Sequence, residues 1–178
     1  MNTPDQRIRV WDPLVRILHW TLVLGFFAAY FTRDVAGSWH EILGYIVLSV
    51  VLVRTLWGFL GSTYARFRQF VRSPSHTLGY AAKLLKGQQS RYMGHNPLGG
   101  WMSVILLLFA LLTCASGWLY TTDRYWGVEW VEELHELLTN ITLVLVALHL
   151  TGVVFASVHD RENLVASMLH GKKRPPEE

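Results

Sequence analysis

Cysteine is almost missing from this chain: Cys114 is the only one, and it sits inside an apolar run. A lone thiol excludes both a disulfide framework and a thiolate metal centre. Charge is missing from long stretches. No Asp, Glu, Lys or Arg interrupts residues 101–120 or 137–158, and runs of that length read as membrane spans. Acid is missing altogether from residues 61–100, which carry Arg66, Arg68, Arg72, Lys83, Lys86 and Arg91. There is no repeat or low-complexity tract. No small-residue cleavage site follows the first apolar run, so that run is expected to remain as a permanent span.

What is abundant agrees with these absences. Half of the residues are hydrophobic, and charge is kept out of the long runs and pushed into the segments between them, which is not the pattern of a soluble domain. Four spans are expected, at 14–31, 41–60, 101–120 and 134–158. The fold class is therefore an all-α integral membrane four-helix bundle, made by one domain covering 1–178. The tryptophans fall near span ends, where interfacial belts form. Pro97, Gly99 and Gly100 are expected to break the chain before the third span. Residues 76–86 are expected to form a short interfacial helix after Ser73-Pro74-Ser75. The charged tail from Lys172 to Glu178 is expected to be disordered.

Charge distribution sets orientation. The long basic loop, the N-terminal Arg7 and Arg9, and the tail cations Arg161, Lys172, Lys173 and Arg174 predict cytoplasmic placement of both termini and of loop 61–100. Residues 121–136 carry Glu129, Glu132, Glu133 and Glu136 beside an Asp123–Arg124 pair, and are expected to face outward. The chain is thus expected to cross a membrane several times.

Histidines carry the chemistry. His135 and His149 are 14 positions apart on the last span (149 − 135 = 14). At ~100° per residue they share a face, and at ~1.5 Å rise they lie roughly 21 Å apart. Their depths put one at each edge of a ~30 Å hydrocarbon layer. His40 opens the second span at the level of His135, and His19 lies in the first span at the level of His149. Depth thus sorts an outer pair, His40 with His135, and an inner pair, His19 with His149. Each pair can supply two axial nitrogens to one haem iron, a ligation suited to electron transfer. The competing reading for any one of them is an interfacial hydrogen-bonding residue. His76, His95, His159 and His170 fall in loops or at a boundary.

Arg54 stands 14 residues after His40 (54 − 40 = 14) and repeats this geometry, at the inner level. It suits a haem propionate by bidentate contact, or a lipid phosphate reached by snorkelling. Gly25, Gly44, Gly117 and Gly152 allow close approach of a flat macrocycle or of a neighbouring helix.

These residues stand in recurring blocks. They are Val10-Trp11-Asp12-Pro13 leading to Arg16 and His19-Trp20, His40-Glu41-Ile42-Leu43-Gly44 with Arg54 and Trp57, Gly94-His95-Asn96-Pro97, Leu134-His135-Glu136, His149, and Arg161-Glu162-Asn163-Leu164-Val165. In that order they resemble the bacterial cytochrome b561 family, most nearly its b-type cytochrome subunits of nickel–iron hydrogenases. The resemblance implies two b haems on His19, His40, His135 and His149. It also implies electron exchange between the quinone pool and a partner redox protein, a hydrogenase or a c-type cytochrome. Nothing calls for a nucleic-acid partner; lipid is the other expected contact.

The expectation is thus an electron-transfer subunit rather than a stand-alone enzyme. The alternative is a superoxide:quinone oxidoreductase of the same family. That reading needs a cationic outer entry, and the outer loops offer only Arg33 and Arg124 against several carboxylates. A haem-free structural or transport protein would require all four histidines to be incidental.

Overall fold

The computed structural model describes residues 7–35, 37–88 and 90–175. A two-residue strand, β1 (Ile8–Arg9), is followed by α1 (Pro13–Phe31) and α2 (Trp39–Leu60). A 3-10 turn at Thr63–Ala65, a single-turn α3 (Phe67–Phe70) and α4 (Pro74–Leu85) make up the long loop. Then come α5 (Pro97–Tyr120), α6 (Glu129–His159), α7 (Leu164–His170) and β2 (Lys172–Lys173). α1, α2, α5 and α6 are long and apolar enough to cross a membrane, so the described structure is essentially all-helical with four candidate spans.

Three helix starts share one device, a polar cap followed by proline at the first helical position. Asp12 Oδ1 accepts from Val15 N at 2.9 Å ahead of Pro13. Ser73 Oγ accepts from His76 N at 3.3 Å ahead of Pro74. Asn96 Oδ1 accepts from Gly99 N at 2.7 Å ahead of Pro97. Proline has no N–H to orphan there and its φ is already helical. For this reason α5 starts at Pro97, and Gly99 and Gly100 lie in its first turn instead of breaking the chain before 101. At the other helix that begins earlier than expected, α6 gains five residues, Glu129 to Glu133. Its 31 residues span about 46 Å, well beyond a ~30 Å hydrocarbon layer.

The chain divides into two compact units. One gathers the described residues up to Arg16, Trp57–Val104 and those from Leu148 onward; the other gathers Ile17–Leu56 and Ile105–Ala147. The second unit is centred on Val47, Val51 and Ala110, with Leu22, Leu107, Leu111 and Cys114 against them. In this unit Gly25 serves helix packing: a Cβ there would come 3.0 Å from Val47 Cγ2.

The first unit is centred on Val10, Trp11, Val15 and Ala65, with Trp57, Tyr64, Met93 and Met168 packed on them. Asp12 ties it together by accepting from Trp57 Nε1 at 3.2 Å and from the Ser62 hydroxyl. Burial works to raise the Asp12 pKa, but the hydrogen bonds from Ser62, Val15, Trp57 and Leu14 outweigh it and hold the carboxyl below its ordinary value.

The expected disorder of the tail is overturned for residues 172–175; residues 176–178 lie outside the described ones. β2 pairs antiparallel with β1, Ile8 opposite Lys173 and Arg9 opposite Lys172. Gly171 accepts from Val10 N and Trp11 N at 2.9 and 3.1 Å. Lys173 is 6% exposed, with its ammonium 5.3 Å above the Trp11 ring and donating to the Gly94 carbonyl at 3.2 Å. Arg91 pairs with Glu162 and donates to the carbonyls of Pro175 and Arg174 at 3.2 and 3.1 Å. Partners distant in sequence absorb the charges that a composition argument assigns to solvent.

Burial pushes the Lys173 pKa down to about 8, against the opposing pull of Glu162 and Asp160. Above about 8 the folded state has released this proton while the unfolded chain holds it up to about 10.5. Stability should therefore rise with pH across that window. Thermal unfolding midpoints at pH 7.5 and 9.5 will show the rise, and Lys173→Met will flatten it. An equal rise in that variant would remove Lys173 as the source.

A candidate haem-binding pair of histidines

His40 and His135 come together in the second unit. Their ring centroids lie 6.0 Å apart with planes at 90°. His40 occupies the second position of α2, and its Nδ1 is 2.8 Å from the Ala29 carbonyl of α1. His135 lies on α6, with Nδ1 3.0 Å from the Thr113 carbonyl of α5 and 3.0 Å from Ser116 Oγ. A carbonyl can only accept, so each Nδ1 carries the proton and each Nε2 keeps its lone pair. Ser116 in turn donates its own hydroxyl proton to the Thr113 carbonyl at 2.9 Å, leaving its oxygen free to accept from His135. Ligating histidines are held in this way by second partners that fix both tautomer and ring direction.

The spacing fits an iron held between the rings. A ligating imidazole nitrogen sits roughly 2 Å from its metal and the ring centroid about 1.2 Å behind it, giving about 6.4 Å between trans-axial centroids. The observed 6.0 Å matches this within a few tenths of an ångström. A Cβ on Gly117 would come within 3.0 Å of His135 Cε1, so this glycine is required for the ring's position. A Cβ on Gly44, one turn after His40, would meet nothing within 4 Å. Open space beside His40 leaves room for a flat macrocycle and shows that Gly44 is not required for helix packing. Among the described residues no three His, Cys, Asp or Glu side chains cluster to hold a bare metal ion.

The other predicted residues are divided between the two units. His19 lies on α1 in the second unit, edge-on to Trp20 at 5.4 Å, and His149 lies on α6 in the first unit. Arg54 is buried on α2, in the same unit as His40. A Cβ on Gly152, three residues after His149, would also meet nothing within 4 Å. His95 is more than a turn residue, since its ring packs between Trp11 at 4.8 Å and Phe70 at 4.6 Å. His159 is exposed and stacks on Phe155. The sequence reading passed over Ala29, Thr113 and Ser116. Thr113 and Ser116 had a signal, hydroxyls three apart in a charge-free span, whereas Ala29 acts through its backbone and had none.

Comparison with known proteins identifies the family. The family model described as prokaryotic cytochrome b561 matches residues 10–171. A protein named probable Ni/Fe-hydrogenase B-type cytochrome subunit, from Rhizobium leguminosarum bv. viciae, is 26% identical over 94% of this chain and 89% of its own length. One of the same name from Bradyrhizobium diazoefficiens is 25% identical over 94% of this chain and 86% of its own. No solved structure matches the chain significantly. With a match along nearly its whole length and four apolar helices, the chain belongs to the prokaryotic cytochrome b561 family, membrane electron carriers with b-type haem.

Proposed function

We propose that this protein is a di-haem cytochrome that passes electrons across a bacterial inner membrane between the quinone pool and a redox partner. The observation that carries the reading is the His40–His135 pair, two imidazoles 6.0 Å apart with both Nδ1 protons committed to the backbone. His40 and His135 hold the outer haem and His19 and His149 the inner one. That α6 runs unbroken from Glu129 to His159 supports two levels, since one helix then offers a ligand at each. Bound haem supplies a reversible one-electron couple. Ala29, Thr113 and Ser116 would fix the ring tautomers of His40 and His135, which would hold the haem. A pyridine haemochrome assay on the purified protein will return two haems per chain; one or none would overturn the reading.

Both termini and loop 61–100 face the cytoplasm in this proposal, and residues 121–136 face outward. The two relatives are named as hydrogenase subunits, which favours a hydrogenase as partner over a c-type cytochrome. Arg33 is engaged by Asp34 at 3.2 Å and by the Tyr30 ring at 4.8 Å, and Arg124 lies over the Tyr125 ring at 5.4 Å, which disfavours the superoxide reading.

Arg54 neutralises a propionate of the inner haem. Arg54→Leu should lower that haem's reduction potential, because a nearby cation favours the electron-rich form. A tenfold change in the one-electron equilibrium is about 59 mV, which a redox titration resolves easily. If neither potential moves, Arg54 serves lipid phosphate.

Outward docking rests on Trp126 and Trp130, both exposed, set among Glu129, Glu132, Glu133 and Glu136. Glu132 accepts from Tyr120 Oη at 3.3 Å and has a local role, so Glu129 and Glu133 are the cleaner probes. Reversing both to Lys should slow electron exchange with a basic partner about tenfold at low ionic strength, and less as salt screens the charges. Quinol-driven reduction should not change. An unaltered, salt-independent exchange rate would leave this segment as an interfacial belt.

A further inference from the structure

α4 presents a surface that neither the core of its unit nor the histidine pair uses. Thr77 and Tyr80 turn inward and are buried, with Leu84 half-buried on the same side. A second stripe, Leu78, Ala82 and Leu85, recurs at helical spacing and faces out; Leu78 is 70% and Leu85 90% exposed. Lys83 and Lys86, both exposed, follow further round the helix. The surrounding segment, residues 61–100, holds six cations and no acid.

Two contacts locate this helix. The Trp101 indole donates to the Arg72 carbonyl at 3.0 Å, tying the chain just ahead of α4 to the first turns of α5. Tyr80 has its pKa raised to about 12, first by burial and then by the charge of Asp160, which directly follows α6. The start of α5 and the end of α6 are therefore near this helix, and both of those helices are apolar enough to enter a bilayer. Whatever covers the Leu78–Leu85 stripe is found at a membrane edge.

We propose that α4 is an in-plane helix that binds anionic phospholipid, its Leu78–Ala82–Leu85 stripe seated at the headgroup–acyl boundary and Lys83 and Lys86 on lipid phosphates. Two leucines and an alanine make a short apolar stripe. A cation near an anionic surface contributes an amount comparable to much of one buried aliphatic side chain, so lipid charge decides whether the helix stays down. This inference is independent of haem number or partner.

Hydrogen–deuterium exchange of the full-length protein in lipid nanodiscs tests it. Discs of phosphatidylcholine alone are compared with discs containing about one-third phosphatidylglycerol. α4 amides are expected to exchange about tenfold more slowly in the anionic discs, while the α5 interior is equally protected in both. The Lys83→Glu/Lys86→Glu variant should abolish the difference, and Leu78→Ser/Leu85→Ser should remove the protection itself. α5 protection verifies that each variant is folded. Equal α4 exchange in the two disc types overturns the proposal and leaves the stripe to a protein partner. Slowing of exchange by inorganic phosphate in neutral discs would also overturn it, by assigning a site for a free anion.

Discussion

Replacing His40 or His135 with Ala should halve the haem content, leaving one haem per chain with an unchanged low-spin spectrum. Each residue supplies one nitrogen of a pair whose rings stand 6.0 Å apart, and a single remaining imidazole forfeits one of two axial bonds. His149→Ala is the complementary experiment and should remove the other haem while sparing the His40–His135 one. Haem per polypeptide and the reduced spectrum of each variant are the readouts. Retention of both haems in any of the three would break the proposed pairing. Loss of both in His149→Ala would mean that the two sites do not assemble independently.

Gly171→Val should open the tail clasp. Gly171 has φ +82°, where a β-branched residue is strained by roughly 1–2 kcal/mol. Its added Cβ would stand 2.7 Å from the Trp11 carbonyl oxygen, and the Gly171 carbonyl is the acceptor for Val10 N and Trp11 N. Strain and weakened hydrogen bonds together come to about 3 kcal/mol, roughly a hundredfold in the open population. Trypsin cleavage at Lys172 and Lys173 should accelerate accordingly, at protease concentrations where cleavage follows opening. Cleavage at the native rate would show that the β1–β2 ribbon does not depend on Gly171.

Periodic features were readable in the sequence, and features that depend on distant partners were not. The four long helices follow from long apolar runs with few charges, and depth alone placed His40 beside His135. The start of α5 was legible in principle, since Asn96-Pro97 is a capping pair, but the glycines after it drew attention to a break. The tail misled for a different reason. Lys172, Lys173 and Arg174 look solvated until Trp11, Gly94 and Glu162 are known to face them, and nothing local announces those partners. The carbonyls of Ala29 and Thr113 that orient the two imidazoles are invisible in any sequence, because every residue has one.

The ribbon that joins residues 8–9 to residues 172–173 also imposes an order on biogenesis. β1 precedes all four candidate spans in the chain and β2 follows them, so the second half of the ribbon is made only after all four. Until then Val10 and Trp11 lack the Gly171 carbonyl that accepts their N–H groups, and Trp11 lacks the cation above its ring. The β1–β2 ribbon can therefore close only on a chain in which the four candidate spans between its halves are already complete.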